Sequence, residues 1–245
     1  MFFIRILKFF PFLIILVTVF LLGFLLVGCT GEQDTFSSVY LLELKYNSSS
    51  SLSSDSKDKV NLDFSVRIGY LGVCLMEDKK TSCTPVANFT SLSDTDDLFN
   101  GALSKGEHDI NIGKIGQKFR DVCYVNVLIA AIIINLLVLL VMFWGLIPFL
   151  PGRVACSRIA SFLSCVNVLL WGLGTMLLYV ATKSGKNLIG TSSASLVVAK
   201  IGGRAQAMSW TSFTFILLAC LGNIFICLKE LKENIKKRKQ LNNKV

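Results

Sequence analysis

The sequence predicts a membrane all-α four-helix bundle that carries a small extracellular antiparallel β-sheet. Three observations predict it. Hydrophobic residues make up 53% of the chain and gather in four blocks instead of recurring at helical or strand periods, with mean hydropathy +0.61. Each block is close to the roughly 20 apolar residues that a helix needs to cross a ~30 Å hydrocarbon core. Between the first two blocks lies a long polar segment containing period-two alternation, the pattern of a half-buried strand.

The elements follow in order. Residues 1–8 are a short stub with Arg5 and Lys8. Residues 9–29 are the first span, an uncharged run longer than the roughly 7–15 residues of a secretory h-region. Pro11 falls near its start, where a missing N–H costs little. Leu26-Val27-Gly28-Cys29 also matches a bacterial lipobox; three further spans downstream favour a structural or palmitoylated Cys29 instead. An extracellular loop with the sheet occupies 30–122, the second span 123–147, a Pro- and Arg-containing hairpin 148–158 and the third span 159–180. A second extracellular loop occupies 181–207, the fourth span 208–228 and a basic tail 229–245.

A net charge of +9 would suit a nucleic-acid binder, but the distribution argues otherwise. All acidic residues except Glu230 and Glu233 lie within 30–122, and Lys and Arg flank the spans. Basic flanks report topology. The stub, the hairpin with Arg153 and Arg158, and the tail with Lys229, Lys232, Lys236, Lys237, Arg238, Lys239 and Lys244 all fall on one side of an even number of spans. That side is read as cytosolic. Lys183, Lys186, Lys200 and Arg204 in the second outer loop run against the rule without outweighing three agreeing segments. Two sequons, at Asn47 and Asn88, fall in the loop that charge alone places outside, where glycans would require them.

Within that loop, 39–46 reads as a strand and 48–56 as a Ser-rich linker. Residues 60–76 read as one strand, with Val60, Leu62, Phe64, Val66 and Ile68 on one face, and 109–119 as a further strand. Gly69 and Gly72 suit close backbone approach or a bulge. Of eight cysteines, only Cys74 and Cys83 sit well inside the loop. In an oxidising compartment a disulfide is the default, with two free thiols as the alternative.

Gly69-Tyr70-Leu71-Gly72-Val73-Cys74, with Cys83 after it, resembles the G-Φ-Φ-G-x-C…C pattern of a fungal claudin-like family, the pheromone-induced calcium regulators and membrane-fusion proteins of mating. Four spans, a large first outer loop with paired cysteines, a small second one and a first span ending in Gly-Cys share that family's layout. The outer loop lacks the Trp of animal claudins and of the fungal eisosome group. The resemblance implies a plasma-membrane protein that assists cell–cell fusion and low-affinity calcium influx. The alternative is a structural organiser of plasma-membrane domains with no part in ion flux.

The spans themselves offer no chemistry of the kind a channel needs. No Asp, Glu, Lys, Arg or His lies in any block, although such residues mark ion pathways. Asn126, Asn135, Ser161, Ser164, Asn167, Thr175, Ser212, Thr214 and Asn223 are read as interhelical hydrogen-bonding groups, and Gly172, Gly174 and Gly222 as close helix contacts. Asp94, Asp96 and Asp97 are a weak cation candidate without the Gly and distal Glu of an EF-hand; no metal site is otherwise expected. His108 is read as a surface residue. Nothing suggests an enzyme or a cofactor. The expected partners are membrane lipids, other membrane proteins in a lateral homo- or hetero-oligomer, and a partner cell surface, with no nucleic acid.

Overall fold

The computed structural model describes residues 2–31, 33–46, 64–77, 80–85, 125–146, 153–192 and 197–242. Among the described residues, four helices are long and apolar enough to cross a membrane: α1 (Phe2–Val27), α3 (Val125–Leu146), α4 (Arg153–Ser192) and α5 (Gly203–Asn242). This is a multi-pass membrane protein. A one-turn helix, α2 (Asp34–Ser37), follows α1. The described residues also form five strands: β1 (Leu42–Tyr46), β2 (Phe64–Ile68), β3 (Gly72–Glu77), β4 (Lys80–Pro85) and β5 (Val197–Ile201).

The chain forms two compact units. The first comprises 1–23, 126–175 and 209–245 and is the helix bundle. Its centre is Ile15, Val138, Met142, Ala160 and Ala219, a contribution from every spanning helix, with Phe12, Val19 and Leu163 packed around them. Small residues set the spacing, as membrane helices require where lipid is as apolar as any side chain. Gly172 lies against the Phe213 ring and Gly174 against Val127, where an added Cβ would sit 3.1 and 3.2 Å from its neighbour.

Pro11 is interior to α1, because the helix begins at Phe2, seven residues before the first apolar block. It therefore removes an internal hydrogen bond, and Gly222 leaves room beside its ring.

Polar side chains of the bundle pair with one another. Asn167 Nδ2 donates to Asn135 Oδ1 (2.9 Å), Asn223 Nδ2 to Ser164 Oγ (2.9 Å), Ser161 Oγ to Asn223 O (3.0 Å) and Trp171 Nε1 to Ser212 Oγ (3.1 Å). Thr175 and Thr214 instead donate to carbonyls of their own helices, those of Gly172 and Thr211. In hydrocarbon this pairing replaces the water that the groups would otherwise need. Asn135, Ser164, Asn167, Ser212 and Asn223 are all buried, whereas Phe162, Leu169 and Leu173 of α4 are exposed, the arrangement of a bundle solvated by lipid.

The second unit comprises 24–125 and 176–208. Its strands are antiparallel throughout, in the order β4-β3-β2-β1-β5. β1 is central, with Leu44 opposite Val66 on one side and opposite Ala199 on the other. Leu42, Leu44, Val66, Ile68 and Ala199 make its buried apolar face. Two spans separate β1 from β5, so an even number of crossings returns the chain to the side it left.

Two sequence expectations change. Residues 64–77 form a hairpin, not one strand: β2 ends at Ile68, the chain turns at 69–71, and β3 returns. Gly69 N donates to Gly72 O (2.8 Å) to close it. The 181–207 segment is not a plain loop. α4 continues to Ser192 and β5 joins the sheet, since a helix need not stop where its hydropathy falls. At 40 residues α4 and α5 are each roughly 60 Å long, about twice the hydrocarbon thickness. The expected strand at 109–119 lies outside the described residues, as does the Ser-rich linker.

Candidate functional site

The site is the point where the sheet meets the turn that follows α1. The chain leaves α1 at Val27 and reverses through Gly28 and Cys29. Cys29 takes a left-handed backbone, φ 62°, a conformation that helix ends usually give to glycine and that costs another residue roughly 1 kcal/mol. Three bonds hold the reversal: Cys29 N donates to Phe36 O (3.0 Å), and Thr30 N and Oγ1 both donate to Val27 O (3.2 and 2.7 Å). α2 supplies Phe36, whose ring faces Phe24 at 6.4 Å.

Glycines let other backbones reach this turn. A Cβ on Gly69 would overlap Gly28 O and crowd Cys29 Cβ (2.9 Å). A Cβ on Gly72 would overlap Cys29 O, with Thr30 N at 2.8 Å. One on Gly28 would overlap Val39 O, and one on Gly202, at the end of β5, would overlap Tyr40 O. The role of both motif glycines is therefore space. The Gly-x-x-Gly spacing is the width of the hairpin tip, and that tip sits on Gly28-Cys29. Tyr70 at the tip is buried.

Cys74 and Cys83 are joined by a disulfide and are direct cross-strand partners on β3 and β4. Closing so short a loop is worth about 2–3 kcal/mol. Cys74 Sγ lies 3.6 Å from Cys29 O, so the bridge packs on the same turn as the glycines. Strand register continues outward from this pair. Cys74 is opposite Arg67, Arg67 opposite Glu43 and Glu43 opposite Lys200, so one row crosses all five strands.

Sequence reasoning missed the charged centre of that row. Glu43 is 2% exposed. Its Oε1 accepts from Arg67 Nε (3.2 Å) and its Oε2 from Tyr40 Oη (3.1 Å). Arg67 also donates to Ser37 O (3.2 Å) and stacks over the Tyr40 ring, 4.7 Å from its centroid. Arg67 thus ties β1 and β2 to α2, the kind of forked and stacked contact lysine cannot reproduce. Burial, and then Glu43, push the Tyr40 hydroxyl above its ordinary pKa of 10.0. The signal in the sequence was an acid between two leucines in a strand, with no local cue to its partner 24 residues on.

Cys29 lies beyond the apolar stretch Phe9–Val27. It is fully buried, its Sγ is 3.5 Å from Val39 O, and burial pushes the thiol up to about 12 against the lowering pull of Arg67. It is a packing element; a lipobox or palmitoylation role would need the sulfur in the open. A membrane-permeant maleimide is expected to leave Cys29 unmodified in the folded protein and to label it after denaturation, as read by peptide mass spectrometry. Labelling at a rate equal to that of the half-buried Cys227 would contradict the burial.

Asn47, Asn88, Asp94, Asp96, Asp97 and His108 lie outside the described residues. Among the described residues no group of three His, Cys, Asp or Glu side chains is placed to hold a metal ion. The buried groups of this arrangement are spent on one another, and Lys45 and Lys200 are exposed on the same face as Glu43.

Comparison with known proteins agrees with the motif. The sequence model of the family described as "Ca2+ regulator and membrane fusion protein Fig1" matches residues 49–229. The Factor-induced gene 1 protein of Saccharomyces cerevisiae is 28% identical over 248 residues, covering 89% of this chain and 82% of that protein.

Proposed function

This chain belongs to the Fig1 family of non-enzymatic Ca2+ regulators and membrane fusion proteins, and from that premise we propose how its two units divide the work. The protein resides in the plasma membrane with both termini in the cytosol. The sheet unit faces outward and is the part that meets other proteins or a partner cell during mating. The helix bundle is its anchor, and calcium influx is regulated through lateral partners in the membrane.

The observation that carries this reading is the seating of the sheet. Glycines, a disulfide and a buried ion pair converge on the described strands, where β1 of the first segment between spans pairs with β5 of the later one. Rigid platforms lose little conformational freedom on binding. The bundle supports the division too. Its described spanning segments hold neutral polar groups bonded across helices, which suits helix packing better than the coordination of a hard cation by six to eight oxygens.

The test is deletion of the gene in mating cells, with pheromone-stimulated calcium uptake and partner fusion measured together. Loss of both is expected, and wild-type protein should restore them. Normal values for both in the deletion strain would overturn the proposal. Defective membrane patches with normal uptake and fusion would assign the protein to membrane organisation instead.

A further inference from the structure

Two thiols in the bundle are spent on nothing so far described. Cys165 of α4 and Cys220 of α5 place their sulfurs 3.5 Å apart, and neither is bonded elsewhere. The helices around them are pinned. Ser161 Oγ donates to Asn223 O (3.0 Å) and Asn223 Nδ2 to Ser164 Oγ (2.9 Å), so the same turns of α4 and α5 are fixed by two hydrogen bonds. The sulfur contact is therefore a property of a fixed helix register, not of two side chains that meet by chance. A disulfide bond length of about 2.05 Å would require the sulfurs to close by only about 1.5 Å.

The two sulfurs differ in access. Cys220 is 6% exposed, whereas Cys165 is half-buried. That difference sets an order of reaction: a small oxidant able to enter the bilayer meets Cys165 first, and Cys220 is the neighbour positioned to resolve it.

We propose that Cys165 and Cys220 are a reversible oxidation site that locks α4 to α5. The oxidant is a peroxide. Cys165 attacks its O–O bond and becomes a sulfenic acid, with release of water from hydrogen peroxide or of an alcohol from a lipid hydroperoxide. The Cys220 sulfur then displaces the sulfenic oxygen as a second water. In sum, two thiols and one hydrogen peroxide give one disulfide and two waters, and a dithiol reductant reverses the change. With the bridge closed, the helices can no longer slide or separate along this contact. A covalent crosslink adds to the two hydrogen bonds a constraint that does not depend on lipid.

The experiment uses the full-length protein in native membranes. Membranes are treated with hydrogen peroxide, blocked with N-ethylmaleimide and digested without reductant. The expected product is one crosslinked peptide joining Cys165 to Cys220, two hydrogens lighter than the sum of its parts and separated again by dithiothreitol. Cys165→Ser and Cys220→Ser should each abolish it. In Cys220→Ser the sulfenic acid has no resolving thiol, so a dimedone adduct at Cys165 should rise at least tenfold over wild type. Recovery of both cysteines as maleimide adducts after peroxide would overturn the proposal. So would sulfinic acid at Cys165 without a crosslink, or a bridge to Cys156 or Cys227 instead.

Discussion

Gly72→Ala is expected to prevent the sheet unit from folding. The new methyl group would overlap Cys29 O and crowd Thr30 N. Both obstacles are backbone, in a turn already held by hydrogen bonds, so neither side can yield as a flexible side chain would. Overpacking a well-filled interior costs about 1–3 kcal/mol where side chains can adjust. Here the cost is expected at about 3 kcal/mol or more, a large share of the roughly 5–15 kcal/mol that holds a typical domain. The measurement is surface delivery and protease resistance of the full-length protein, both of which should be lost. Gly190→Ala is the internal control. It lies in α4 within the same unit and has nothing within 4 Å of a Cβ, so it should gain about 0.5–1 kcal/mol from helix propensity. If Gly72→Ala behaved like Gly190→Ala, the close seating of the hairpin on Cys29 would be wrong.

Glu43→Gln is expected to be the second most damaging change. Glutamine fits the space and can still meet Tyr40, but Arg67 loses its counter-charge in a site where Glu43 is 2% exposed. Breaking a fully buried ion pair costs about 3–5 kcal/mol. Arg67 retains 21% side-chain exposure, so solvent screens part of this and about 2–3 kcal/mol is expected. Thermal unfolding of Glu43→Gln, Arg67→Met and the double variant forms a cycle. The double variant should be less destabilised than the sum of the singles. Additivity would show that the two residues act independently.

The same cluster predicts an alkaline limit. Because the Tyr40 pKa is raised in the folded state, its contribution is fully present below pH 10 and is lost as pH rises through the higher folded value. Tyr40→Phe should remove that part of the alkaline transition.

The bundle was legible because a bilayer imposes its thickness on the sequence, and charge-free blocks of the right length have one common explanation. The paired cysteines were legible as the only two set inside a polar loop. The hairpin was not. Its tip is Tyr70-Leu71, with Tyr70 buried and Leu71 half-buried, so the usual polar turn signal is missing and an alternating strand seemed to run on. Gly69 and Gly72 were visible as glycines, but what they make room for, a carbonyl some 40 residues earlier, leaves no local trace. Glu43 and Arg67 were hidden for a related reason. A strand with one apolar face puts polar residues on the other, and only tertiary cover by Ser37 and Tyr40 turns that face into an interior. β5 was hidden by brevity: Val197-Val198 is the whole of its β-branched signal before Ala199-Lys200.

The pairing of β1 with β5 also sets a schedule. Leu42 emerges early in synthesis, and its partner Ile201 emerges only after two more helices have entered the bilayer. Until then the central strand of the sheet is an open edge, the kind of unpaired ladder that invites wrong partners. A chain in which α3 or α4 alone failed to insert would leave Ile201 on the opposite side of the membrane from Leu42, and β1 would never be covered. Completion of the sheet therefore reports that the two helices between its central strand and its last one crossed as a pair, and an uncovered β1 edge is a feature by which the cell's folding surveillance can recognise a copy in which one of them did not.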